Sequence, residues 1–172
     1  MQRQSSDHPR LPCIVALGGN LASPWGEPAQ TLQRAARELQ AAGVDILAMS
    51  RVHVTQPLGP APQPVYANAV AVTETDLEPL QLLALAKQLE VAAGRRPGPR
   101  WGPRTLDIDI IDAAGRIEGW DRPHDSQHPA VLVLPHPEMH KRAFVLEPLC
   151  EVMPSWRHPV LGRTAAELLA DL

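Results

Sequence analysis

Apolar and acidic side chains alternate near the middle of this chain, a pattern that few local structures accommodate. Leu106, Ile108 and Ile110 alternate with Asp107 and Asp109. Side chains two positions apart in a β-strand point to the same face, so the pattern predicts a half-buried strand with both carboxylates on one face. Asp is a poor strand former, so two Asp residues in one predicted strand indicate a functional pair. Solvent-facing acids paired with nearby arginines would produce the same pattern.

A basic segment precedes this predicted strand. Its four arginines lie among glycines and prolines and are Arg95, Arg96, Arg100 and Arg104. Guanidinium groups bind phosphate oxygens bidentately and stay charged. Mg²⁺ is usually held by one or two carboxylates together with substrate phosphates. The basic segment and the acidic pair therefore indicate a site for a polyphosphate and a metal, with the basic loop suited to act as a lid.

Composition excludes several other roles. The chain has 172 residues and a net charge of -3, and its basic character is confined to residues 95–104. A general nucleic-acid or membrane-surface role is therefore not indicated. Apolar runs are far shorter than a membrane span, and residues 1–10 lack the core of a signal peptide. We expect a flexible tail at 1–10, a single domain at 11–172 and a cytoplasmic location.

Apolar periodicity and the positions of Gly and Pro predict alternating strands and helices. Strands are predicted at 12–17, 44–55, 66–73, 106–110 and 131–134. Helices are predicted at 28–42, 78–93 and 164–172. Residues 18–20, Gly-Gly-Asn, are expected to form a turn. A Gly-rich turn after a strand can also cradle phosphate, but this one lacks the spacing of a P-loop or of a dinucleotide-binding motif. Residues 56–65 contain four prolines and are expected to form an irregular loop long enough to act as a binding segment.

Three polar residues lie where a ligand could be bound. Tyr66, the one tyrosine of the chain, shares a face of its predicted strand with Asn68. The Asn amide suits a flat heterocycle with an amide edge, although a packed Tyr and a surface Asn are equally compatible with the pattern. Glu90 lies in the last turn of a predicted helix, where the helix dipole disfavours an acid. It either pairs with Arg95 or holds groups of a ligand.

Four segments, taken together, carry a resemblance to a known family. They are Arg-Trp-Gly-Pro-Arg-Thr-Leu-Asp-Ile-Asp at 100–109, Pro-Leu-Gly-Pro at 57–60 followed by Tyr-x-Asn at 66–68, Leu-Glu-x-x-x-Gly-Arg at 89–95, and Pro-His-x-x-Met-x-x-Arg-x-Phe at 135–144. In this combination the chain resembles the 6-hydroxymethyl-7,8-dihydropterin pyrophosphokinases of folate biosynthesis. The resemblance covers nearly all of the chain from residue 13 onward, in the order of the family.

The resemblance implies an α+β fold of ferredoxin-like type, an antiparallel sheet with packed helices. It implies transfer of a diphosphoryl group from ATP, the co-substrate, to the pterin, with two Mg²⁺ ions held by Asp107 and Asp109. Catalytic roles carry over to Arg95, Arg104, Asp107 and Asp109. ATP-side roles carry over to Glu90, Trp101, Arg104, His136 and Arg142. Pterin-side roles carry over to Thr55, Leu58, Tyr66, Asn68 and Phe144, with the pterin ring between Tyr66 and Phe144.

The expected partners are the two small-molecule substrates, with no nucleic acid and no membrane, and the expected state is a monomer. Two alternatives from other classes stay open. One is a catalytically silent ferredoxin-like module that binds a nucleotide or a pterin. The other is a Mg²⁺-dependent phosphohydrolase that uses the same carboxylates and needs no pterin.

Overall fold

The computed structural model describes residues 10–57, 62–98, 102–120 and 132–172. The predicted tail at 1–10 lies outside these ranges except for Arg10, and so do the predicted site residues Leu58 and Trp101. Within the described ranges, no helix combines the length and the apolar character needed to cross a membrane.

An antiparallel sheet forms the centre of the described structure. Its five strands are β1 (Leu11–Gly19), β2 (Val44–Met49), β3 (His53–Thr55), β4 (Tyr66–Thr75) and β5 (Asp107–Ala113). The strand order is β2-β4-β1-β5, and β3 pairs with β4 beyond the end of β2. Helix α1 (Pro28–Ala41) follows β1, and helix α2 (Pro79–Ala92) follows β4. This order is that of a ferredoxin-like fold, so the predicted α+β class is confirmed.

Helices α1 and α2 pack on one face of the sheet, and both begin with the same local signals. Each starts at a Glu-Pro pair, with the proline at the first helical turn, where its missing N–H costs nothing. The side chains of Gln30 and Gln81 accept hydrogen bonds from the backbone N–H groups of Glu27 and Glu78. Leu32, Leu39, Leu82 and Ala86 then join Val15, Leu17 and Ile108 of the strands in the larger core.

A second layer covers the opposite face. It comprises one turn of 3₁₀ helix (Met139–Lys141), α3 (Ala143–Val152) and the short α4 (Ala165–Leu169). Its smaller core contains Ile14, Val70, Ile111, Met139, Val145, Leu146, Leu149, Trp156, Ala165 and Leu168. This second layer covers the face only in part. Toward one end of the sheet, the apolar side chains of the strands give way to polar ones.

Four local predictions were wrong in detail. Gly18 and Gly19 belong to β1 and do not form a turn. The strand predicted at 44–55 is divided at Ser50, whose hydroxyl oxygen accepts a hydrogen bond from the backbone N–H of Val70 (3.0 Å) and so interrupts the ladder. Of the strand predicted at 131–134, the described part forms only an isolated bridge between Leu134 and Glu118. The last helix ends earlier than predicted.

Candidate active site

The register of the sheet places the polar side chains in rows across the face that α3 covers in part. Gly18 of β1 lies opposite Asn68 of β4 and Asp107 of β5. His53 of β3 lies opposite Asn68 on its other side. Because directly paired residues point to the same face of a sheet, these four positions form one row. Asp109 lies in the next row, toward the smaller core.

Glycine at position 18 leaves room for the side chain of Asn68 to lie close to the backbone in the middle of this row. A Cβ atom there would lie 2.9 Å from Oδ1 of Asn68. Gly18 lines the floor of the cleft between Asn68 and Asp107, and the Asn68 amide lies directly against it. The resulting cleft has a volume of about 320 Å³.

Cations surround the two carboxylates. Arg95 Nη1 lies 2.7 Å from Oδ1 of Asp107, and Arg104 Nη1 donates to the other oxygen, Oδ2. Arg142 Nη1 lies 3.6 Å from Oδ2 of Asp109. Each carboxylate is therefore paired with an arginine, and both carboxylates line the cleft.

The two carboxyl groups differ in their acidity. Burial by itself raises the pKa of Asp107, but Arg95 and Arg104 outweigh it and hold that pKa below its usual value. The pKa of Asp109 is raised, first because the group is buried and then because Asp107 repels a second negative charge. An added cation would relieve this repulsion.

His136 borders the same carboxylates as a neutral ring. Its backbone N–H donates to the carbonyl of Ile111 (2.9 Å), and its Nδ1 accepts a hydrogen bond from the backbone N–H of Glu138 (3.2 Å). Burial, with a contribution from Arg142, lowers its pKa to about 4. Nε2 therefore carries the proton at neutral pH, 3.8 Å from Oδ2 of Asp109.

Glu90 lies beneath the cleft and outside its lining. Its side chain is 2% exposed and accepts hydrogen bonds from the backbone N–H of Ile108 and from Lys87 Nζ, both at 2.8 Å, and from Arg95. Burial raises the pKa of Glu90, and its two polar partners Lys87 and Ile108 oppose the shift. Of the two roles left open for Glu90, pairing with Arg95 is the one seen. Through that pair it fixes the arginine against Asp107.

Neutral side chains form the other end of the cleft. Asn68 Nδ2 donates to Thr55 Oγ1 (2.8 Å), and the Tyr66 hydroxyl donates to the carbonyl of Gly102 (3.2 Å). Phe144, in the first turn of α3, faces them, and the guanidinium of Arg142 stands 5.7 Å from the centre of its ring. A flat ring could be held here by its faces and its polar edge together.

Ten of the residues predicted for the site line this one cleft. They are Thr55, Tyr66, Asn68, Arg95, Arg104, Asp107, Asp109, His136, Arg142 and Phe144. Residues far apart in the sequence therefore meet around a common volume, with charged groups at one end and rings and amides at the other.

Several residues with a part in the cleft were not predicted, among them Lys87, Gly18 and Asn20. Lys87 and Gly18 line it. Asn20, 3% exposed, accepts a hydrogen bond from the backbone N–H of Arg104 (2.8 Å) and donates to the carbonyl of Pro64 (3.1 Å). Lys87 lies three residues before Glu90 on α2, a helical spacing that was available as a signal. For Gly18 and Asn20 the sequence offered only a Gly-Gly-Asn segment, which was interpreted as a turn.

Fold and cleft together define a ferredoxin-like α+β protein with a cleft lined by arginines and a pair of carboxylates. The family model for 7,8-dihydro-6-hydroxymethylpterin-pyrophosphokinase matches residues 14–154. The chain belongs to this family.

Relatives of known name agree with this membership. A 2-amino-4-hydroxy-6-hydroxymethyldihydropteridine pyrophosphokinase of Pseudomonas aeruginosa is 41% identical over 157 residues, which are 91% of this chain and 88% of the relative. A protein of the same name from Synechocystis sp. is 36% identical over 92% of this chain and 75% of its own length.

The solved structures support the fold. Plasmodium falciparum HPPK-DHPS, wild type with pteroate, matches 97% of this chain with a TM-score of 0.72 and 13% identity. A second structure, HPPK-DHPS A437G with pteroate, gives a TM-score of 0.70 and 15% identity. The chain spans 45% and 44% of these two solved chains. At this identity the likeness concerns the fold alone.

Proposed function

We propose that this chain transfers the diphosphoryl group of ATP to 6-hydroxymethyl-7,8-dihydropterin, giving AMP and the pterin diphosphate. The carrying observation is the row in which Asn68 and Asp107 lie on either side of Gly18 in one cleft. A pterin held at the amide end would present its hydroxymethyl group toward the charged end, where a triphosphate fits. Membership of the family supports the same reaction.

The transfer makes one bond and breaks one bond. The hydroxymethyl oxygen bonds to the β-phosphorus of ATP, and the bond from that phosphorus to the oxygen shared with the α-phosphate breaks. AMP leaves with the electron pair, and the hydroxyl proton passes to water. Alignment of the two substrates and neutralisation of charge supply most of the rate in reactions of this kind.

Each group of cations has a proposed part in this transfer. Arg95 and Arg104 would release Asp107 and bind the oxygens of the diphosphoryl group that is transferred. They can do so because the N–H donors of a guanidinium group fit phosphate oxygens as well as carboxylate oxygens. Arg142 and the Nε2–H of His136 would donate to neighbouring phosphate oxygens. Lys87, whose ammonium reaches the cleft, adds a further positive charge near the carboxylates.

Asp107 and Asp109 fit a magnesium site. Their oxygens are the ligands that Mg²⁺ prefers, and they lie on one face of one strand. In the described part of the chain, no three acidic, Cys or His side chains could hold a metal by themselves. This suits a site completed by substrate phosphates, and we assign two Mg²⁺ ions to it, as the sequence resemblance implies. Bound Mg²⁺ would supply neutralisation of the triphosphate and a lower pKa for the attacking hydroxyl.

The test is an incubation of the protein with ATP, Mg²⁺ and 6-hydroxymethyl-7,8-dihydropterin, in which AMP, ADP and phosphate are followed with and without the pterin. We expect AMP to form only in the presence of the pterin. ADP or phosphate formed without the pterin would identify a phosphohydrolase. The absence of any turnover would identify a silent binding module.

Replacement of either carboxylate should remove the activity. We expect Asp107→Asn and Asp109→Asn each to lower kcat by at least about a hundredfold, because each removes a charge at the transferring group. Asp112→Asn is a matched control on the same strand. Asp112 binds Trp156 Nε1 (3.3 Å) outside the cleft, and its replacement should leave kcat within about twofold.

We further propose that residues 11–172 act as one domain and as a monomer, because described residues of a single chain supply both ends of the cleft. We assign the activity to the cytoplasm, where ATP is available. Sedimentation of the active protein would test the monomer.

A further inference from the structure

A second group of polar side chains lies beside the cleft, between β3 and α3. His53 Nε2 lies 2.9 Å from Oε2 of Glu151, and His53 Nδ1 lies 3.6 Å from Oε2 of Glu147. The other oxygen of Glu151 accepts a hydrogen bond from the backbone N–H of Arg51 (2.8 Å). We call His53, Glu147 and Glu151 the β3–α3 clasp.

The clasp joins the two elements that form the walls of the neutral end of the cleft. His53 lies two residues before Thr55 on β3, and it lies opposite Asn68 in the row of the sheet. Glu147 lies one helical turn after Phe144 on α3, and Glu151 lies one turn further. The distance from Thr55 to Phe144 therefore depends on how closely β3 approaches α3.

Position and burial distinguish the clasp from an ordinary surface ion pair. The side chain of His53 is only 12% exposed, whereas those of Glu147 and Glu151 are 47% and 36% exposed. Exposed pairs contribute little because long side chains must be ordered in water. Here the ring is already ordered by the sheet, and Glu151 receives hydrogen bonds from two donors of the opposite segment. The pKa of Glu151 is lowered by the Arg51 N–H and by His53.

A metal site would be a different explanation of the same residues, since Cys150 lies beside them. Within the described ranges, however, no three ligating side chains come close enough to share a metal ion. The contacts seen are those of a hydrogen-bonded connection.

We propose that the β3–α3 clasp is a positioning device that sets the width of the pterin end of the cleft. It therefore controls affinity for the pterin and leaves affinity for ATP unchanged. The proposal rests on the proposed function, because the pterin is the ligand whose affinity it concerns.

The test compares the KM values of the two substrates in Glu151→Ala, His53→Ala and the double variant. We expect His53→Ala, which removes one hydrogen bond to Glu151, to raise the KM for the pterin about fivefold, and Glu151→Ala, which removes two, to raise it at least as much. The KM for ATP and kcat should stay within about twofold. The double variant should resemble Glu151→Ala, because that replacement already removes both hydrogen bonds, whereas His53→Ala leaves the one from the Arg51 N–H in place.

Two further variants separate positioning from general stability. Glu151→Gln keeps one acceptor oxygen and should recover part of the affinity for the pterin. Glu38→Ala breaks a comparable pair, with Arg34 on α1 (2.6 Å), on the opposite face of the sheet. It should change neither KM. Circular dichroism checks folding, and if His53→Ala is unfolded, His53→Gln takes its place in the comparison.

Unchanged KM for the pterin, or equal increases for both substrates, would overturn the clasp proposal. Equilibrium binding of the pterin to wild type and variants gives the same comparison without turnover. If wild type binds the pterin but forms no AMP, the proposed function fails and the clasp is still judged by the ratio of the dissociation constants. If wild type binds no pterin, both proposals fail.

Discussion

Gly18 shows how a single missing side chain shapes the cleft. A Cβ atom at this position would lie 2.9 Å from Oδ1 of Asn68, closer than such atoms approach, so the amide would have to move. The hydrogen bond from Asn68 to Thr55 would then be lost. We expect Gly18→Ala to raise the KM for the pterin about tenfold, because the amide no longer presents its edge to the ligand.

Steady-state kinetics with each substrate varied in turn would measure this effect. The KM for ATP should change by less than about twofold, because Gly18→Ala leaves the arginines in place. An unchanged KM for the pterin would show that the floor of the cleft beside Asn68 is not where the ring is held.

His158 illustrates a residue that acts on stability through its protonation. Its ring is fully buried among Trp120, His140 and Trp156, and its Nδ1 accepts hydrogen bonds from the backbone N–H groups of two following residues. Burial, with a smaller effect of His140, lowers its pKa from 6.5 to about 4. The unfolded chain therefore binds a proton at this residue between pH 6.5 and about pH 4, and the folded chain does not.

Stability is consequently present above pH 6.5 and is lost as the pH falls toward the folded pKa of about 4. We expect His158→Asn to remove this part of the pH dependence, because the amide oxygen still accepts the backbone hydrogen bonds but does not titrate. Urea unfolding from about pH 7 to about pH 5 should show a loss in wild type that exceeds that of the variant by roughly 1–3 kcal/mol. Parallel curves would contradict the assignment. His136 titrates in both proteins and cancels.

At the scale of elements, Asn20 joins the two loops that border the cleft. Its side chain accepts a hydrogen bond from the backbone N–H of Arg104 and donates one to the carbonyl of Pro64. Its backbone N–H donates to the carbonyl of Arg104 (2.8 Å). Because one loop leads to Tyr66 and the other carries Arg104, we expect Asn20→Ala to raise both KM values. It should also destabilise the fold by about 1–3 kcal/mol, the cost of unpaired buried groups.

Asn20→Asp separates the two connections. The carboxylate still accepts from Arg104 but cannot donate to Pro64, so the KM for the pterin should rise more than the KM for ATP. Kinetics and thermal unfolding of both variants would measure this. Equal effects of Asn20→Asp on the two substrates would mean that the loops are not linked through this side chain.

How well each element could be predicted depends on how local its signal is. The strand of Asp107 and Asp109 has a two-residue period in its own sequence, and α1 and α2 have apolar spacing and a Gly after their last turn, so all three were predicted closely. Helix α3 was not predicted, since its sequence is apolar without a clear period and contains Pro148. The interruption at Ser50 depends on a hydrogen bond to β4, which no local pattern contains.

At the scale of the whole molecule, the cleft too could be predicted only where its signals are local in sequence. Charged and aromatic residues in recognisable motifs could be predicted, because their chemistry is visible one segment at a time. The row of His53, Asn68, Gly18 and Asp107 could not, because it depends on the register of four strands that are distant in sequence. Register is set by burial of the two cores, which is a property of the complete fold.

The contacts between arginines and carboxylates also determine whether the metal or the nucleotide can bind first. In this structure Arg95 and Arg104 contact Asp107, and Arg142 lies near Asp109. Mg²⁺ alone would have to displace these arginines while offering them no anion. ATP would offer them its phosphates and so would free the carboxylates for the metal. Binding of the metal should therefore depend strongly on the nucleotide. Both ligands favour the state in which the arginines have left the carboxylates, so each should raise the affinity for the other.

Thermal unfolding with a non-hydrolysable ATP analogue tests this coupling. We expect Mg²⁺ alone, at about 1 mM, to change Tm by less than about 1 °C, and Mg²⁺ with the analogue to raise it by about 5 °C. The analogue without Mg²⁺ should give a smaller rise, because the phosphates then face the carboxylates without a bridging cation. In Asp107→Asn the difference made by Mg²⁺ should largely disappear. A large shift with Mg²⁺ alone would mean that the arginines do not compete for the carboxylates and that the metal site is already formed in the free protein.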